Sequence, residues 1–181
     1  MTPTSFQSKI FIVPGLGNSE ETHWQTLWEN QFGFTRIQQR EWETPDRDEW
    51  IETIDKTLKS FPLDEVVLVG HSLACTTIAA WSQRYGRKIK GALLVAPSDT
   101  EADTYPPGTT GFKPMCLHKF PFPVITVTSS DDYYVTLQRA ELFATAWGGE
   151  FVNVGALGHI NVASGFGKWD DGLQFLSKLD K

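Results

Sequence analysis

Val66-Val67-Leu68-Val69 runs directly into Gly70-His71-Ser72-Leu73-Ala74, and this junction decides the fold. A β-branched run ending on glycine, with a serine two residues on and a small residue two beyond that, describes a strand turning sharply into a helix with the serine at the tip. Gly70 lets the backbone enter the turn. Ala74 stands where the common G-x-S-x-G pattern has a second glycine and is still small enough for the helix to pass the strand closely. Leu73 to Tyr85, rich in small and apolar residues and stopped by Gly86, reads as the following buried helix. A serine at that helix's positive end points to nucleophilic catalysis. The other reading of the same residues is a helix N-cap serine after a strand, common in any α/β protein.

A serine hydroxyl is a poor nucleophile without a base, and the base needs a carboxylate to orient it. Both follow in the chain. Val124-Ile125-Thr126-Val127-Thr128 leads into Ser129-Ser130-Asp131-Asp132, and Phe151-Val152-Asn153-Val154 leads into Gly155-Ala156-Leu157-Gly158-His159. Ser, then Asp, then His, each just past a strand, is the chain order of an α/β-hydrolase. In an open parallel sheet such strand ends share one edge, where the ligand crevice forms. Ser72 is then the nucleophile and His159 the base, with Asp131 or Asp132 as the acid; Asp99 and Asp103, after the fourth strand, are the fallback.

Further motifs extend the pattern along the chain. Pro14-Gly15-Leu16-Gly17-Asn18 with Thr22-His23-Trp24-Gln25, Gly70-His71-Ser72, Ser130-Asp131-Asp132, Ala146-Trp147-Gly148, and Gly158-His159-Ile160-Asn161 with Gly165-Phe166-Gly167-Lys168-Trp169 resemble the small serine hydrolase family related to retinoblastoma-binding protein 9, in particular its bacterial members. The resemblance covers nearly the whole chain. It implies a Ser-His-Asp triad whose acid is the second aspartate of the pair, Asp132; Tyr133 stands where that family has a proline. It implies nothing about specificity, because the family's physiological substrates are poorly defined.

Composition bounds the rest. A chain of 181 residues with 40% hydrophobic content can bury one core and fits a single domain. A net charge of −6 with no Lys/Arg cluster argues against nucleic acid and anionic membrane as main partners. Cys75 and Cys116 are too few for a disulfide framework, so both are read as thiols, Cys75 as a small core residue. Met1 to Ser8 lacks a charged-then-apolar signal pattern and no apolar run reaches membrane-spanning length, so the expected location is the cytoplasm. His23, His71, His118 and His159 are scattered without ligand spacing, so no metal or cofactor is expected. His71 is read as packing or hydrogen-bonding behind the elbow, and His23 and Trp24 mainly as packing.

Strands are expected at Lys9–Val13, Phe34–Arg40, Glu65–Val69, Gly91–Ala96, Val124–Thr128 and Glu150–Val154. Helices fall between them. Ser19 is read as the cap of one carrying Trp24, Leu27 and Trp28, and Thr44-Pro45 as the opening of another with Trp50, Ile51, Ile54 and Leu58. Thr136 caps a third, and the last runs from about Asp170 to Leu179. The fold expected is a single-domain minimal α/β-hydrolase over residues 1–181, a mostly parallel six-stranded sheet in the order 2-1-3-4-5-6 with helices on both faces.

Two loops carry further readings. Gly15-Leu16-Gly17 after the first strand superficially matches a dinucleotide fingerprint, but Glu20 occupies the third glycine's place and would repel a pyrophosphate. In a hydrolase the same loop supplies an oxyanion-hole donor, so the backbone N–H groups of Leu16 and Leu73 are assigned there. Pro97 to Pro123 is too long for a routine connection. It reads either as a small cap, with Tyr105, Phe112, Met115 and Phe120 lining an acyl pocket, or as a surface loop packed by its own side chains. The function expected is a carboxylesterase-like serine hydrolase acting through an acyl-enzyme on a small ester, thioester or amide. The alternatives are an idle hydrolase scaffold serving as a protein-interaction module, or the same elbow used for perhydrolysis or acyl transfer.

Overall fold

Period-two alternation in the strands divides the core into two halves. In the computed structural model, which describes residues 5–181, Phe11, Val13, Val66, Leu68, Ala92, Leu94 and Val124 face one way. Ile10, Ile12, Val67, Val69, Leu93, Val95, Ile125 and Val127 face the other. Residues hydrophobic on both faces belong to a parallel sheet covered on both sides. The strands are β1 (Lys9–Val13), β2 (Thr35–Arg36), β3 (Val66–His71), β4 (Gly91–Val95), β5 (Val124–Thr128) and β6 (Glu150–Asn153), all parallel, in the order β2-β1-β3-β4-β5-β6. The helices α2 (Arg47–Leu58), α3 (Leu73–Tyr85) and α4 (Leu137–Trp147) pack on the first face through Ile51, Ile54, Ile78, Trp81 and Phe143. Helices α1 (Trp24–Phe32) and α5 (Asp170–Leu179) cover the second through Trp24, Trp28, Leu173 and Leu176. The expected order and layers are those found. Of the N-terminal stretch read for a signal, Met1 to Thr4 lie outside the described residues; within the described residues no helix is long and apolar enough to cross a membrane.

The element ends differ from expectation for local reasons. β2 is far shorter than Phe34–Arg40: the Ile37 N–H still donates to the Ile12 carbonyl, but Gln39 turns away to the Trp50 carbonyl. β3 runs two residues further, because Gly70 pairs with Val13 and His71 with Val95. β4 stops before Ala96, whose φ of 49° leaves the extended region. Helix α1 is capped by His23, whose Nδ1 accepts from the Gln25 N–H at 3.2 Å, while the Ser19 hydroxyl is occupied by the Gln25 side chain. Asp46, one residue past Thr44-Pro45, caps α2 by accepting from Asp48 and Glu49 N–H. Thr136 caps α4 as read.

The strand order reverses direction between β1 and β3. Successive connections that diverge from such a point leave a crevice at the strands' C-terminal ends. Here it opens between the loop after β1 and the turn after β3.

Candidate active site

The turn between β3 and α3 requires the residues it has. Ser72 sits at φ 59°, ψ −123°, a conformation that costs a non-glycine residue on the order of 1–3 kcal/mol and holds its side chain clear of the sheet. Neighbours crowd the backbone there. A methyl on Gly70 would lie 2.7 Å from Ile78 Cδ1 and 3.5 Å from Ala74 Cβ, and one on Gly15 would lie 2.7 Å from the His71 carbonyl oxygen. The Ser72 N–H donates to the Val95 carbonyl (3.0 Å), which fixes the turn to the end of β4.

The ends of β3, β5 and β6 bring three side chains into one line. Ser72 Oγ lies 2.9 Å from His159 Nε2, and His159 Nδ1 lies 2.8 Å from Asp132 Oδ2 and 2.9 Å from Oδ1. The buried Asp132 carboxylate accepts a further hydrogen bond from the Tyr134 N–H at 2.8 Å. A carboxylate can only accept, so His159 Nδ1 carries a proton and Nε2 is left to accept the Ser72 hydroxyl proton. Asp131 points elsewhere. Its Oδ1 accepts from the Ser129 hydroxyl and from the Gly158 N–H (both 2.7 Å), tying the β5 loop to the β6 loop, and these donors, the Ser129 hydroxyl first, hold its carboxyl below the ordinary range. Asp99 is engaged by Arg139 at 2.6 and 3.0 Å, and Asp103 is exposed.

Two further histidines stand behind His159. His71 Nε2 is 2.9 Å from the His159 carbonyl oxygen, so this nitrogen carries the proton and donates. Complete burial pushes its pKa well below the ordinary imidazole value. His23 packs edge-on against His71 at 4.9 Å between ring centres. Burial, reinforced by the Arg36 charge, lowers its pKa to about 4. The Trp24 indole N–H donates to the Ile160 carbonyl at 2.9 Å, so the α1 residues read as packing also secure the loop that carries His159.

A cavity of about 400 Å³ opens over Ser72, lined among others by Leu16, Ser98, Tyr105, Tyr134 and His159. Leu73, fully buried, is the first residue of α3, whose opening N–H groups have no helical partner. Phe112 does not line the cavity, a correction to the expected substrate contact: its ring is buried against Trp50 and Leu73. Met115 and Phe120 likewise pack into the core beside α2, α3 and α4. Of the long segment 97–123, only Ser98, Tyr105 and Pro106 reach the crevice, because its later aromatics are drawn into the core. Cys75 is buried behind the turn, where burial pushes its thiol far up. Among the described residues no three His, Cys, Asp or Glu side chains gather to hold a metal.

Ser98 went unnoticed in the sequence. Its hydroxyl lies 2.6 Å from Ser72 Oγ. Tyr134, whose ring lies 4.6 Å from that of His159, was also missed. Neither stands in a motif; the parallel register of His71 with Val95 is what brings the residues after β4 beside the elbow.

Residues 10–178 match the model of a family described as serine hydrolase. The chain belongs to the serine hydrolase family. This hydrolase is similar to a solved structure described as a YdeN-like hydrolase from Pectobacterium atrosepticum, with 34% identity over 96% of this chain and 91% of that one and a TM-score of 0.83. It shares its fold with the ydeN gene product of Bacillus subtilis, at 16% identity, 95% and 98% coverage and a TM-score of 0.74. It does so too with a serine hydrolase involved in carbazole degradation, at 14% identity, 97% and 92% coverage and a TM-score of 0.68. No curated protein matches it.

Proposed function

We propose that this hydrolase is a carboxylesterase-like enzyme that cleaves a small ester, thioester or amide through an acyl-enzyme on Ser72. The observation that carries the reading is the unbroken relay from Ser72 Oγ through His159 to Asp132, at 2.9 and 2.8 Å, on a serine held in a strained turn. His159 Nε2 takes the Ser72 proton as Oγ attacks the acyl carbon, and Asp132 stabilises the imidazolium that results. The backbone N–H groups of Leu16 and Leu73 flank Gly15, whose Cα leaves no room for a side chain against Ser72 and Leu73. They form the oxyanion hole in this reading. The imidazolium then protonates the leaving group, and water repeats the sequence on the acyl-enzyme.

A cavity of about 400 Å³ lies toward the small end of ligand sites, which supports short acyl and alcohol or amine groups. Labelling with a fluorophosphonate probe tests the reading. The native chain is expected to label and Ser72→Ala to remain folded but unlabelled, with p-nitrophenyl ester turnover reduced by several orders of magnitude. Unchanged hydrolysis in Ser72→Ala would remove the basis for the relay.

A further inference from the structure

The Ser98 hydroxyl is 2.6 Å from the nucleophile's oxygen, and among the described residues it has no other hydrogen-bond partner. Either oxygen of such a pair is able to donate, but the relay settles the direction. Asp132 accepts the His159 Nδ1 proton, Nε2 therefore accepts, and the Ser72 proton is committed to Nε2. Only Ser98 has a proton left to give. We propose that Ser98 is a catalytic residue that donates its hydroxyl proton in a hydrogen bond to Ser72 Oγ and stabilises that oxygen as it becomes an alkoxide. This rests on the Ser72–His159–Asp132 reading.

The donor is fixed in place before any substrate arrives. Ser98 is 1% exposed and lies between two backbone anchors: the Ala96 N–H on the Val127 carbonyl (2.8 Å) and the Asp99 N–H on the Tyr134 carbonyl (2.9 Å). The Asp99 carboxylate is gripped at both oxygens by Arg139 of α4. The segment has little freedom to withdraw the hydroxyl.

During attack the Ser72 proton passes to His159 Nε2, and one Oγ lone pair forms the bond to the acyl carbon. The other lone pair keeps the Ser98 hydrogen bond, and the Ser98 proton stays on Ser98 throughout. A hydrogen bond to an oxygen gaining negative charge is roughly twice as strong as one to a neutral hydroxyl. The bond therefore tightens toward the transition state, the condition for accelerating the step instead of merely binding. When Ser72 leaves again in deacylation, the same proton stabilises it.

Two variants isolate the hydroxyl. Ser98→Ala deletes a single heavy atom, and Ser98→Cys keeps the side chain's shape on a larger atom while replacing a strong donor with a weak one. In a stopped-flow burst with p-nitrophenyl acetate, both are expected to slow acylation about 10- to 100-fold, with the half-saturating ester concentration and the melting temperature near native values. Ser98→Thr, which keeps the hydroxyl, is expected to recover most of the rate. Native acylation rates in Ser98→Ala or Ser98→Cys would overturn the role of Ser98, and so would a loss confined to ester affinity. Ser72→Ala in the same assay separates the two readings. If it shows no burst while Ser98→Ala is native, only the Ser98 role falls; if it retains a burst, the Ser72 reading falls with it.

Discussion

Lowering the pH is expected to loosen this protein through His23, and the amount follows from where that ring sits. His23 is 5% exposed, and its Nδ1 accepts the Gln25 N–H at the start of α1. An imidazolium has no acceptor nitrogen, so protonation removes the cap and places a positive charge at the positive end of the helix. Burial and the Arg36 charge lower the folded pKa from the ordinary 6.5 to about 4. Between those values the unfolded chain binds a proton that the folded one refuses, so stability rises with pH there. His23's contribution is whole above pH 6.5 and shrinks by about 1.4 kcal/mol per pH unit below it. Between pH 7 and pH 4.5 the loss from this ring alone is about 2–3 kcal/mol, and His71, depressed in the same direction by burial, adds to it. His23→Asn places an amide oxygen where Nδ1 stood, which keeps the cap and abolishes the titration. Urea unfolding at pH 7, 5.5 and 4.5, followed by tryptophan fluorescence, should show a shallower pH dependence in the variant by about that amount. Parallel pH dependences in the two proteins would refute the reasoning, whatever their difference at pH 7.

The neighbouring carboxylates should separate cleanly. Asp132→Asn is expected to cut turnover by about 10⁴-fold by allowing the wrong His159 tautomer, whereas Asp131→Asn, whose amide oxygen still accepts the Gly158 N–H, should cost less than about tenfold; steady-state ester kinetics on both measures this, and equal losses would refute it. Gly15→Ala places a methyl 2.7 Å from the backbone oxygen of His71, an atom unable to yield without moving the elbow. It is expected to lower kcat by about 100-fold or more, and native kcat in a folded Gly15→Ala would show that the loop after β1 does not set the oxyanion geometry.

The sheet was readable because its strands are buried on both faces and therefore written as continuous β-branched runs, and the elbow because the crossing is crowded enough to call for small residues at Gly70 and Ala74. Ends were harder. β2 lies at the sheet's edge, where half its hydrogen bonds are missing and the chain is free to leave after Arg36. The cap of α1 was hidden because histidine is not a usual capping residue, and its role depends on a neutral ring that burial and the Arg36 charge maintain. Phe112 was misplaced because a loop rich in Pro and Gly has no periodicity to say which side of an aromatic faces the crevice. Ser98 was invisible for a different reason. Nothing local distinguishes it, and its meaning comes from the neighbouring strand's register.

Ser72 and His159 are 87 residues apart in the chain, Asp132 and His159 are 27 apart, and Ser98 reaches Ser72 across 26. Each of these contacts therefore closes a loop, at an entropic cost that grows only slowly with the loop's length. On the Ser72–His159–Asp132 reading, a chain with its helices formed but β6 undocked is expected to be chemically silent. The first appearance of fluorophosphonate labelling after dilution from denaturant is then expected to report when the loops after β3, β5 and β6 have come together, and its lag behind the recovery of helical circular dichroism to measure how far that assembly trails helix formation.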